Sequence, residues 1–117
     1  SNCCSMDNDP LIFISEHFIY LTFLNMSGLK RACVHGGLLN VGKSCTNLEY
    51  LILRDLGSML SDDALWIFAE NCKRLNLVDI FYGKLSDNGL LSLSELKYLR
   101  VLIVESCPLL TTDGISK

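Results

Sequence analysis

The chain has no excess of basic residues. Ten lysines and arginines stand against thirteen aspartates and glutamates, for a net charge of -3. A surface that grips nucleic acid needs a positive footprint, so this balance argues against that class of partner. No apolar run approaches the roughly 20 residues of a membrane span. The most hydrophobic stretch, Leu11 to Leu24, is interrupted by Ser15, Glu16 and His17. It also lacks the basic flank and small-residue cleavage site of a secretory signal. Six cysteines are present without one Cys-x-x-Cys pair, which removes the usual zinc-ligand spacing. The two histidines, His17 and His35, have no nucleophile or acid placed beside them at a useful spacing. The sequence therefore predicts no catalytic residues, no cofactor, no metal, and neither a nucleic-acid nor a membrane partner.

What the chain does have is a six-residue phrase that returns five times. It reads Met6-Asp7-Asn8-Asp9-Pro10-Leu11, Cys33-Val34-His35-Gly36-Gly37-Leu38, Leu60-Ser61-Asp62-Asp63-Ala64-Leu65, Leu85-Ser86-Asp87-Asn88-Gly89-Leu90 and Leu110-Thr111-Thr112-Asp113-Gly114-Ile115. The copies are 27, 27, 25 and 25 residues apart, a period that marks stacked supersecondary units. Before each later copy stands a second pattern: Leu21-x-x-Leu24-x-Met26, Leu48-x-x-Leu51-x-Leu53, Leu75-x-x-Val78-x-Ile80 and Leu99-x-x-Leu102-x-Val104. Its last two apolar positions are two apart, which is strand spacing, so short strands are expected near 24–26, 51–53, 78–80 and 102–104.

After the phrase the spacing lengthens. Leu65, Phe68, Ala69 and Cys72 recur at steps of three and four, the mark of one helix face. Leu11, Ile14 and Phe18 repeat that spacing, as do Leu38 with Val41 and Leu90 with Leu93. The phrase itself is a helix start, because its Ser, Thr and Asp side chains can accept from the free N–H groups of a first turn. Acidic residues there suit the positive end of the helix dipole, and Pro10 suits the first helical position. Asp62-Asp63 is read as such a cap and not as an acid–base couple. Each unit is then strand, turn, capped helix, with parallel strands on one side and helices on the other. Trp66 is expected to pack between neighbouring helices and Ile67 to be exposed.

The same alignment interprets the cysteines. Cys45 and Cys72 share one phase, Cys33 shares its phase with Leu60 and Leu85, and Cys107 shares its phase with Leu29 and Leu56. Four of the six thus stand at apolar core positions, and a free cysteine behaves as a small hydrophobe. Cys3 and Cys4 fall outside the pattern.

These residues resemble the cysteine-containing leucine-rich repeat, whose unit runs C-x-x-L-x-x-L-x-L, a variable turn, then [I/L]-[T/S]-D-x-[G/A]-[L/I]. Cys45-Thr46-Asn47-Leu48-Glu49-Tyr50-Leu51-Ile52-Leu53 matches the first half, and the phrases at Leu60 and Leu85 match the second. The likeness runs from Met6 onward. It weakens at Cys33-Val34-His35, and Phe18 and Leu96 stand where the family has cysteine. The resemblance implies an α/β leucine-rich-repeat solenoid of about four repeats, strands concave and helices convex. The units would span 18–44, 45–71, 72–95 and 96–117, with 1–17 ending a preceding repeat. The phrase register opens and stops in mid-repeat, so a fragment of a longer array is expected. In F-box proteins such arrays hold substrates for ubiquitin ligases. No F-box segment is visible here, so a ligase scaffold would engage a region outside this chain. The expected location is the cytoplasm or nucleus.

Strand alternation locates the expected partner surface. With Leu51 and Leu53 inward, Tyr50, Ile52 and Arg54 face the open concave side. The same logic adds Phe23, Asn25 and Ser27, then Leu77, Asp79 and Phe81, then Val101, Ile103 and Glu105. A protein partner is predicted there, on Phe23, Asn25, Tyr50, Ile52, Arg54, Asp79, Phe81, Ile103 and Glu105. Exposed aromatics ringed by charge are what protein interfaces favour. Two alternatives stand beside this reading. One is a purely structural piece of a larger array. The other is nucleotide binding, because Gly37-Leu38-Leu39-Asn40-Val41-Gly42-Lys43-Ser44 satisfies the phosphate-loop pattern G-x-x-x-x-G-K-[ST]. Against it, only Ala32-Cys33-Val34 are available for the strand that must precede, and no Asp-x-x-Gly or Asn-Lys-x-Asp follows. A helix burying Leu38 and Val41 would instead carry Lys43 on its solvated side.

Overall fold

Leu51 and Leu53 are fully buried, as are Val78 and Ile80, and the residues between and beside them are not. This two-residue alternation makes a strand with one face inward. The computed structural model describes residues 10–27 and 35–110. In chain order the elements are α1 (Pro10–His17), β1 (Phe23–Asn25), α2 (His35–Ser44), β2 (Tyr50–Ser61), α3 (Asp62–Asn71), β3 (Leu77–Lys84), α4 (Asp87–Leu93) and β4 (Val101–Glu105). The four strands form one open parallel sheet in the order β1-β2-β3-β4. Parallel neighbours need a crossover, and a helix stands between each pair in sequence. The fold is mixed α/β, 42 × 27 × 18 Å overall.

The sheet register reproduces the phase of the apolar pattern. Leu24 pairs with Leu51, Leu51 with Val78, and Val78 with Leu102. A ladder of shared carbonyls fixes this register at the strand starts. Thr22 C=O accepts from Glu49 N–H (2.7 Å) and Tyr50 N–H (3.0 Å). Glu49 C=O accepts from Asn76 and Leu77, and Asn76 C=O from Arg100 and Val101, in the same way. Each turn thereby satisfies the backbone donors of the next.

Leu38, Val41, Leu65 and Phe68 from α2 and α3 share one core with Leu51, Leu53, Val78 and Ile80 from the strands. The helices therefore cover one face of the sheet, and each such side chain stabilises the fold by about 1.5–3 kcal/mol. Cys45, Cys72 and Cys107 lie in this core as free thiols. The Cys72 thiol donates to Cys45 C=O at 3.3 Å, and the Cys45 thiol to Phe18 C=O at 3.6 Å. A small side chain with a weak donor fits there because it also satisfies a carbonyl of the preceding turn. Cys3, Cys4 and Cys33 lie outside the described residues, as do positions 6–9 of the first phrase copy, 33–34 of the second and 111–115 of the last.

The phrase starts helices as expected: α2, α3 and α4 each begin at its third position, at His35, Asp62 and Asp87. Capping differs between copies. Ser86 Oγ accepts from Asn88 N–H, whereas Ser61 makes no side-chain cap. Asp62 reaches forward instead, its carboxylate accepting from Ser86 N–H and Ser86 Oγ–H in the next unit.

Four expectations need correction. Trp66 is 45% exposed and Ile67 is half-buried, the reverse of the expected pair. The physical reason is the close α2–α3 approach at Gly42, where a Cβ would stand 2.8 Å from Ile67 Cγ2. Phe18 is 48% exposed because it follows the end of α1 and packs on Phe13 outside the core. β2 runs to Ser61, well past Leu53, through two register shifts after Arg54. In β4 the core-phase Leu102 is 41% exposed while Leu24 of the other edge strand is buried, because β1 has α2 after it and no helix among the described residues follows β4.

Candidate functional site

The face of the sheet away from the helices carries the alternate side chains of four strands about 4.8 Å apart. The register orders them into rows. The first row is Phe23, Tyr50, Leu77 and Val101; the second is Asn25, Ile52, Asp79 and Ile103; the third holds Arg54, Phe81 and Glu105. All nine residues expected at a partner surface thus lie on one face. Phe23 is 56% exposed, and Tyr50, Val101 and Ile103 are exposed to lesser degrees. The Phe23 and Tyr50 rings are in tilted contact at 6.3 Å. Asn25 is turned toward its own backbone, its Oδ1 accepting from Ser27 N–H at 2.9 Å.

Arg54 organises the third row. Its Nη1 donates to Asp79 Oδ1 at 2.8 Å, its Nη2 lies 3.7 Å from Glu105 Oε1, and its guanidinium sits 4.8 Å from the centre of the Phe81 ring. One cation thereby links β2, β3 and β4. Asp79 is the better covered carboxylate, and Glu105 is largely open to solvent. The stack on Phe81 orients the planar guanidinium and adds a cation–π contribution.

Beyond this row lies a feature that sequence reasoning missed. Asp55, Tyr82 and Ser106 directly follow Arg54, Phe81 and Glu105, and all three have left-handed backbone, with φ of 64°, 63° and 58°. The usual marker of such a bend is glycine, and none of the three positions has it; only their shared phase betrays it. Tyr82 and Ser106 line an open groove of about 520 Å³ with Val104, Cys107, Pro108 and Leu110.

The phosphate-loop pattern falls within α2. Leu38 and Val41 are fully buried and Lys43 is exposed. A phosphate cradle needs a loop whose N–H groups converge on the ligand, while residues 37–44 form a continuous helix. Gly42 has a packing reason to be glycine, the contact with Ile67. His17 is exposed and its ring is in tilted contact with Phe13 at 4.5 Å. Burial pushes the Cys72 thiol up to about 12, with Cys45 nearby adding to the shift, and burial likewise raises Cys45 and Cys107. These thiols are held neutral, the opposite of a nucleophile's requirement.

No protein-family model matches the chain, and no match was found among curated proteins. Among solved structures, the chain is similar to one described as "Leiomodin-1 Actin-Binding Site 2 (ABS2)". The TM-score is 0.69 at 12% identity, over 94% of this chain and 68% of that one. The likeness is one of fold. Among the described residues, no helix is long and apolar enough to cross a membrane.

Proposed function

We propose that the chain is a protein-interaction module of the cysteine-containing leucine-rich-repeat type, which docks a protein on the concave face of its sheet. The observation that carries this reading is the continuous outer face. It sets exposed Phe23, Tyr50, Val101 and Ile103 beside the Arg54–Asp79–Glu105 network. Apolar side chains around an ordered charged group are the composition of a docking surface, and patches of this kind seldom stay idle. The Cys45 and Cys72 thiols, bonded to carbonyls of the preceding turn, support the repeat type. The similar leiomodin structure is described as an actin-binding site, which supports a protein partner for this architecture. Substrate recruitment to a ubiquitin ligase is the pathway that the resemblance to F-box proteins favours. Three buried free thiols fit a reducing compartment, the cytoplasm or nucleus.

The test is the triple variant Ile52→Ser, Asp79→Asn, Phe81→Ala, used as bait beside the unchanged chain. Loss of captured protein is expected, with the circular-dichroism spectrum and Trp66 fluorescence retained. Full capture by the folded variant contradicts docking on this face.

A further inference from the structure

The outer face is graded in polarity along the strands. Its first row, at the strand starts, presents Phe23, Tyr50 and Val101 with no charge among them. Toward the strand ends one cation, Arg54 of the third row, stands against two carboxylates, Asp79 of the second row and Glu105 of the third. Asp79 takes the short contact to Arg54, and Phe81 takes the face of the guanidinium. Glu105 is left with a 3.7 Å contact and a side chain 58% exposed, so its charge is neutralised least. Exposed Asp55 directly follows Arg54 at the same end of the sheet. With Asp79, Glu105 and Asp55 against Arg54, the strand-end side of the face therefore has unspent negative charge, and the first row has uncovered apolar surface.

Resting on the docking reading above, we infer that the partner segment is basic and apolar, and that it lies along the strands in one direction. Its apolar side chains cover Phe23, Tyr50 and Val101, and its lysine or arginine reaches Glu105. Complementary charge fixes direction and rejects acidic segments more than it adds affinity. A segment carrying carboxylates at the strand ends would meet Glu105 and Asp55 as like charges.

Two labelled peptides test this by fluorescence anisotropy, one alternating valine with lysine and one alternating valine with glutamate. The lysine peptide is expected to bind at least about tenfold more tightly, and to weaken as salt is raised. Glu105→Lys should erase that preference, while Glu105→Gln should reduce it. Equal binding of the two peptides, or a preference unchanged in Glu105→Lys, overturns the inference. Tighter binding of the glutamate peptide, lost in the Ile52/Asp79/Phe81 variant, keeps the docking face and discards the basic partner. Binding of neither peptide also overturns the basic-segment inference, while the docking face is judged separately by capture with the triple variant.

Discussion

Asp62, the first residue of α3, accepts two hydrogen bonds from Ser86 just before α4: one from the backbone N–H at 2.9 Å and one from the hydroxyl at 2.5 Å. A charged acceptor thus satisfies a helix-start donor in the next unit. Asp62→Ala should cost about 1–3 kcal/mol in urea unfolding, because the Ser86 donors lose their partner in a half-buried site. Asp63→Ala, at an exposed position, should cost no more than about 0.5 kcal/mol. Gly89→Ala should also destabilise, since its Cβ would overlap the Asp62 carboxylate. The sign is informative, because helix propensity alone favours alanine there by about 0.5–1 kcal/mol.

Gly42→Ala gives a second reversal of propensity. An added Cβ would press on Ile67 Cγ2 at 2.8 Å, while meeting the Phe68 ring at an ordinary contact distance of 3.5 Å. Overpacking of this sort costs about 1–3 kcal/mol, so the thermal midpoint should fall. Lys43→Ala, on the exposed side of the same helix, should leave it nearly unchanged. Titration with labelled GTP and magnesium should show no saturable binding to the unchanged chain; binding lost in Lys43→Ala would restore the phosphate-loop reading.

The buried thiols give stability an alkaline dependence. Cys72 is raised from 9.0 to about 12 by burial, so the folded chain keeps a proton that the unfolded chain releases above pH 9. Unfolded protein then binds fewer protons than folded, and stability falls as pH rises from about 9 to about 12, by about 1.4 kcal/mol per pH unit for this thiol. Below pH 9 it contributes no slope. Cys72→Ala should flatten the alkaline limb in denaturant titrations. Labelling of Cys72 by a thiol reagent at pH 8 should proceed only at the rate of opening.

Arg54 and Asp79 should be coupled weakly, as expected for a partly exposed pair. A double-mutant cycle with Arg54→Ala and Asp79→Ala should give about 0.5–1 kcal/mol, decreasing with salt. Arg54→Lys should lose part of the stabilisation that the Phe81 stack provides, because an ammonium has no planar face.

The register was readable from sequence because each buried strand position repeats its apolar character: Leu24, Leu51 and Val78 are partners in space and equivalents in the pattern. Alternation then placed Ile52, Asp79 and Ile103 in one row. The left-handed bends at Asp55, Tyr82 and Ser106 were not readable, since their residue types do not announce positive φ. Nor was the exchange of roles between Trp66 and Ile67. Two adjacent large residues at one helix edge look alike in sequence, and the α2–α3 approach at Gly42 decides which is covered. The forward reach of Asp62 escaped for a related reason, because helix-start chemistry predicts a local cap equally well.

Docking on the outer face is tested most directly by site-specific photo-crosslinking. A photoreactive amino acid is placed at Ile103 on that face in one protein, and at Trp66 on the helical side in another. Crosslinked partner at position 103 and none at position 66 is the predicted result. The same partner crosslinked at position 66 and absent at position 103 would contradict the assignment of the face.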